Sequence, residues 1–320
     1  MKYSVVIIGL GNIAQGYDFN LTGDKIYTHG KAFFSHQSFT IVAGVDSVSD
    51  KCLAFSEKYN CKTYTEIKDA LRIHQPDIVV IAVPTEFHYS VIQDVLRTHI
   101  PRIILCEKPL AYLQEDARAI VEICLQVKVQ LYVNYIRRSM PGVIKVKDKF
   151  LNLLTEQVKG NVWYSKGLMH NGSHLINLLE YWLGAAKSFQ IITSGRKIIL
   201  SKKVEDYEPD FLVQFQKGRV IFQASWEEKF SHYTIELLTS DGRLRYDNGG
   251  KDIYWQQTTK GNNNLELSNE IEKIPSGFDH YQLHVADQLA KALSGKNNFL
   301  CSGEEALKTL EFIDSIIKEL

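Results

Sequence analysis

Val5-Val6-Ile7-Ile8-Gly9-Leu10-Gly11-Asn12-Ile13-Ala14 is the stretch that decides the fold. Four consecutive β-branched apolar residues predict a strand buried on both faces, as in the interior of a parallel sheet. The strand runs directly into G-x-G-x-x-A. In that pattern Gly9 permits a tight turn, Gly11 lets a pyrophosphate approach the backbone, and the small Ala14 lets the next helix pack against the strand. Phosphates are expected at the start of that helix, where unpaired N–H groups and the macrodipole favour anions. A glycine turn without a ligand is the plain alternative.

Outward from this stretch, apolar runs recur at 39–43, 77–82, 102–106 and 129–133, separated by helical periodicity at 50–59, 88–97 and 113–127. Strands apolar on both faces that alternate with helices predict a doubly wound α/β domain. After Arg138 the period drops to two, at 211–216, 219–224 and 233–238, with Gly218 and Asp241-Gly242 placed for hairpin turns. The second half is therefore expected to be α+β, with a large open, mainly antiparallel sheet and closing helices near 279–293 and 303–318. The domain expectation is 1–134 for dinucleotide binding and 135–320 for substrate and oligomer contacts.

With 320 residues, 45% hydrophobic, and 37 Lys+Arg against 37 Asp+Glu, the chain is too apolar for disorder. Its zero formal charge gives no overall attraction to nucleic acid or anionic lipid. No apolar run reaches the roughly 18 residues of a membrane span, and 1–10 lacks the features of a signal peptide, so a cytoplasmic protein is expected. Five widely spaced cysteines without a Cys-x-x-Cys pair read as reduced thiols, with Cys106 as a nucleophile the alternative. His170/His174 and His280/His284 have i, i+4 spacing but no evident third ligand, and no metal is expected.

The second strand ends at Asp46, where a dinucleotide fold places the carboxylate that binds the adenosine ribose. Ser47-Val48-Ser49 offers no Arg for a 2′-phosphate, so NAD is expected over NADP. Asp46 lies 37 residues after Gly9 where about 20 is usual, which implies an insertion near 16–28. An Asp that merely opens a turn is the alternative.

Three more stretches carry polar chemistry: Pro84-Thr85-Glu86-Phe87-His88, Glu107-Lys108-Pro109-Leu110 and His170-Asn171-Gly172-Ser173-His174. The first two follow strands and point to the carboxyl ends of the sheet, where open α/β folds bind ligands. With Gly9 to Ala14, Asp46, Glu107-Lys108-Pro109, 133–138, the Gly-Ser-His segment and 301–306, the chain resembles the glucose-fructose oxidoreductase/inositol dehydrogenase (Gfo/Idh/MocA) family. The resemblance implies hydride transfer at a secondary alcohol or ketone of a sugar, cyclitol or nucleotide-sugar. It also implies Lys108 near the nicotinamide and a cis peptide before Pro109. The family pattern resembling Asp-x-Gly-x-His is matched at Gly172 and His174, while its Asp position holds His170.

His174, titrating near neutrality, is read as the proton shuttle in the first turn of a helix whose dipole keeps it neutral, and Lys108 as the cation that stabilises the alkoxide. Cofactor-binding candidates are Gly9, Gly11, Asn12, Ile13, Asp46, Pro84, His88, Glu107 and Lys108. Substrate-binding candidates are His170, Asn171, Tyr135, Arg138 and Trp163, Trp163 by stacking on sugar C–H groups or else by packing in the sheet. Arg138 is read as an anion ligand or an ion-pair partner. The expected partners are a carbohydrate-like small molecule and a second copy of the chain, as a dimer or tetramer. Two other readings use the same scaffold: a glycosidase or lyase that uses NAD without net redox, and a non-catalytic dinucleotide-binding regulator.

Overall fold

The structure is a computed structural model that describes residues 2–21, 23–151, 158–201, 204–226, 229–261 and 264–320. The chain divides into two compact units, Met1–Ser139 with Asp279–Lys308, and Met140–Phe278 with Thr309–Leu320. This differs from the expected break at 134/135, because the sequence pattern near 279–293 shows an amphipathic helix without showing which sheet it covers. Helix Tyr281–Leu293 puts Val285, Ala286, Leu289, Ala292 and Leu293 into the same core as Val5, Ile7, Ile78, Val80, Ile103 and Leu105. The short strand Cys301–Ser302 then pairs antiparallel with the sheet edge at Tyr132 and Val133.

In the first unit, β1 (Tyr3–Ile8), β2 (Phe39–Val45), β3 (Lys62–Tyr64), β4 (Ile78–Ile81), β5 (Ile103–Cys106) and β6 (Gln130–Val133) pair in parallel in the order 3-2-1-4-5-6. That is the order of a doubly wound dinucleotide fold, with its switch point between β1 and β4. The central strands are buried on both faces, which accounts for their unbroken apolar runs. Only β3 had no such run to announce it, being three residues long and half exposed. The connecting helices are α1 (His29–Ser35), α2 (Ser49–Tyr59), α3 (Ile67–His74), α4 (His88–Thr98) and α5 (Gln114–Gln126).

The expected helix after Gly11 is a single π-helical turn, Asn12–Gly16, and α1 begins only at His29. The insertion between them is built rather than loose. Buried Asp18 accepts hydrogen bonds from the N–H groups of Tyr27 and Thr28 and from the Thr28 hydroxyl, and Thr28 in turn caps α1 at the Lys31 N–H.

Helices α6 (Pro141–Lys145) and α7 (Ser173–Leu183) belong to the second unit. Its strands are β7 (Val158–Tyr164), β8 (Ala186–Ser201), β9 (Val204–Phe215), β10 (Gly218–Ala224), β11 (Thr234–Thr239), β12 (Gly242–Asp247), β13 (Asp252–Lys260), β14 (Leu265–Leu267) and β15 (Glu272–Ile274). Among the described residues they form a nine-stranded sheet in the order β14-β13-β12-β11-β7-β10-β9-β8, with β15 on β13 and one parallel pair, β7 with β10. Alternation buries Val162, Tyr164, Phe211, Val213, Val220, Phe222, Ile235 and Leu237 on one face. The other face, with Trp163, Ile221 and Leu238, is open. The buried stripe of α7 includes Leu175, Leu178, Leu179 and Trp182, and Trp182 meets Tyr246 edge-on.

Candidate functional site

The turn after β1 forms the floor of a groove of about 770 Å³ lined by Gly9, Gly11, Asn12, Ile13, Asp46 and Pro84 among others. Gly9 sits at φ +91°, and a Cβ there would press on the Ala82 and Val83 backbone at the end of β4. Gly11 has nothing within 4 Å of where its Cβ would lie, so the backbone is bare toward the groove. Ala14 is fully buried, as the small third position requires. Asp46 accepts the N–H of Leu10 on Oδ2 (2.8 Å) and that of Val48 on Oδ1 (2.9 Å), which fixes its carboxylate and leaves Oδ1 a further lone pair. Six of the nine cofactor candidates line this groove. Ser47 and Phe87, from two of the stretches quoted above, also line it, as do Tyr17 and Lys51, which no motif singled out. Lys51 lies 3.5 Å from Asp46 Oδ2 and adds a cation beside that carboxylate.

The other three candidates, His88, Glu107 and Lys108, do not line the groove. His88 is fully buried, its Nδ1 3.1 Å from the Leu110 carbonyl and its Nε2 3.0 Å from the Val83 carbonyl. It therefore ties the loop after β4 to the loop after β5, a structural role in place of the expected cofactor contact. Glu107 Oε1 is held by His29 Nε2 (2.7 Å) and Asn134 Nδ2 (2.6 Å). Gln282 Nε2 donates to His29 Nδ1 (2.6 Å), so Nε2 carries the imidazole proton toward Glu107. Burial works to raise the Glu107 carboxyl, but the hydrogen bonds from His29 and Asn134, with the charge of Lys108, hold it below the usual carboxylate value. His29 and Asn134 thus anchor Glu107, and Lys108, the next residue, is half-buried. The Lys108-Pro109 peptide is cis, as the family resemblance implies.

In the second unit a π-helical turn, Leu168–Gly172, runs without a break into α7. His174 is in the first turn of α7 as expected, but the helical run starts six residues earlier, so the run's positive end is at 167–170 and the expected dipole effect on His174 is diluted. His174 is 9% exposed and His170 is exposed. Asn171 is buried, and its amide donates to the carbonyl of Ser165 (3.0 Å), which lies just before the turn.

Of the remaining substrate candidates, Tyr135 is buried. Arg138, 6% exposed, pairs with Glu305 at 2.7 Å, which is the ion-pair alternative. Trp163 is 38% exposed on the open face of β7, while its neighbour Tyr164 packs against the histidine turn at Gly172. The structure therefore does not bring Trp163 to His174; a one-residue step along a strand changes the face. Asn177, one turn after His174, donates its amide to the Thr309 hydroxyl in the core (3.0 Å). Cys106 is fully buried, and burial pushes its thiol well above the usual value. His280 pairs with Asp24 and His284 with Asp287, and no cluster of three or more potential metal ligands exists among the described residues.

Residues 3–135 match the model of the Gfo/Idh/MocA family, described as "Oxidoreductase family, NAD-binding Rossmann fold". The rhizopine catabolism protein MocA of Rhizobium meliloti is 33% identical over 147 residues, 46% of this chain and 42% of its own. The D-glucoside 3-dehydrogenase of Escherichia coli is 25% identical over 149 residues, 46% of this chain and 39% of its own. The chain thus spans less than half the length of these relatives. An NAD-binding oxidoreductase of Klebsiella pneumoniae shares the fold across both units, with a TM-score of 0.78 at 14% identity, covering 100% of this chain and 98% of that one. No described helix is long and apolar enough to cross a membrane.

Proposed function

We propose that the chain is a dehydrogenase that uses NAD to oxidise or reduce a secondary alcohol or ketone of a sugar or cyclitol. The observation that carries the reading is the bare backbone at Gly11 facing a groove that ends at a carboxylate already fixed by two backbone N–H groups. Gly9, Gly11, Asn12 and Ile13 would hold the pyrophosphate, and Asp46 the adenosine ribose. When bound, the nicotinamide supplies the hydride acceptor or donor. Lys108, next in the chain to the anchored Glu107, stabilises negative charge on the substrate oxygen, and His174 takes or returns the hydroxyl proton. The similarity to a D-glucoside dehydrogenase supports the sugar class.

NAD is favoured over NADP because a 2′-phosphate would meet the Asp46 carboxylate, although Lys51 beside it softens the discrimination. The free cysteines support a reducing compartment such as the cytoplasm. The open sheet face supports a homo-oligomer, which light scattering tests.

The decisive experiment follows nicotinamide absorbance on mixing the protein with NAD or NADP and a panel of sugars and cyclitols. Single-turnover hydride transfer is then measured in Lys108→Ala and His174→Ala. Losses of about 10²–10⁴-fold in each are expected. Cofactor binding without turnover on any sugar would instead favour the regulator reading.

A further inference from the structure

Two carboxylates that no motif singled out, Asp206 and Glu208, lie fully buried on β9. Asp206 accepts the N–H of Met169 on Oδ1 (2.9 Å) and that of His170 on Oδ2 (3.0 Å), besides the N–H of Tyr207 (2.8 Å). Glu208 accepts the N–H of Gly167 (3.1 Å) and pairs through its other oxygen with Arg196 on β8. These donors are the ones a helix leaves without an internal acceptor at its start. The helical run 168–183 is thus capped from a different element, 36 or more residues along the chain. Gly167, at φ +92°, is the only residue type that fits the approach, since any side chain there would run into the Asp206 carboxylate.

A local Ser or Asn would have capped the run at little cost. Two adjacent buried carboxylates are a more demanding arrangement, and what they add is a fixed link between the histidine helix and the sheet. We propose that Asp206 is a positioning residue of the reaction: through the backbone N–H groups of Met169 and His170 it fixes the helical run from which His174 acts. The proposal rests on the reading of His174 as the proton-exchanging group. It also answers the departure at position 170. The carboxylate absent from the side chain there is present beneath the same residue's backbone, in a positioning role.

The test compares wild type with Asp206→Asn, which keeps the shape and removes the charge, and with Asp206→Glu, which keeps the charge and displaces it toward Gly167. Dinucleotide affinity, measured by fluorescence, should stay within about twofold in both. The sugar KM should change little, while kcat falls about 10²-fold, as expected when a proton-transfer group is misplaced by about an ångström. The solvent deuterium isotope effect on kcat should rise, because proton transfer becomes the slow step. Backbone amide exchange over 167–174 should accelerate in both variants.

A kcat near wild type in a variant that folds overturns the proposal, even if exchange accelerates, because the contact is then structural only. Equal losses in kcat and dinucleotide affinity overturn it too, since they report general disruption. If wild type turns over no sugar, the functional reading fails on its own, and the exchange comparison still decides whether Asp206 fixes the run.

Discussion

Glu107 in the first unit and Asp206 in the second do the same mechanical job, each anchoring a segment that carries a proposed reacting side chain, yet their proton affinities move in opposite directions. Glu107 takes its hydrogen bonds from His29 and Asn134 next to the Lys108 cation, and its carboxyl is held low against the effect of burial. Asp206 accepts three backbone N–H groups, but burial and the neighbouring Glu208 push it up to about 6. Burial is the largest influence on both and raises both. At Glu107 the side-chain donors His29 and Asn134, with the charges beside them, overcome it, whereas at Asp206 the three backbone N–H groups do not, and Glu208 adds slightly to the rise.

Removing the imidazole that supports Glu107 should have the largest effect. His29→Ala leaves a carboxylate short of a donor and opens a cavity in the core, and should lower stability in urea by about 4 kcal/mol. A loss below about 1 kcal/mol would mean that Asn134 alone suffices.

The pH dependence should separate the two centres next. With its carboxyl raised from 3.8 to about 6, Asp206 binds more proton folded than unfolded in that interval, so stability falls as pH climbs through it. The amount is on the order of 3 kcal/mol. Glu107 has the opposite sign: its contribution is present above the ordinary carboxylate value and is lost as pH drops through its lowered one. Urea melts from pH 3 to 8 should show the first slope disappearing in Asp206→Asn and the second persisting there.

Two glycines sharpen the contrast further. Gly167→Ala forces a side chain into a left-handed backbone against Asp206 and should cost about 2 kcal/mol. Gly11→Ala meets no protein atom, so the melting curve should stay put while dinucleotide affinity, read by calorimetry, drops at least about tenfold. The smallest effect belongs to the half-exposed Lys51–Asp46 pair: Lys51→Ala should alter stability by no more than about 0.5 kcal/mol and act mainly on the ratio of NADP to NAD affinity.

The parallel sheet was legible because strands buried on both faces must be apolar throughout, and the phosphate turn because few residues besides glycine satisfy both its backbone angles and its contacts. Asp206 and Glu208 were not legible for a specific reason. Phe211, Val213 and Phe215 set the inward phase of β9, and continuing it backwards points Asp206 and Glu208 at solvent. The phase changes around Pro209-Asp210, where the register against β8 is irregular, and both carboxylates turn inward. His88 and Asn171 escaped for another reason. Their partners are backbone carbonyls, which every residue possesses and no sequence pattern marks.

The return of Asp279–Lys308 to the first unit has a consequence for biogenesis. A ribosome releases Val5 and Ile7 early, but the helix that seals their layer emerges only after the whole intervening sheet has been translated. The unit whose strands are made first cannot close first, and until translation reaches Leu293 it presents a half-covered surface that chaperones are suited to shield.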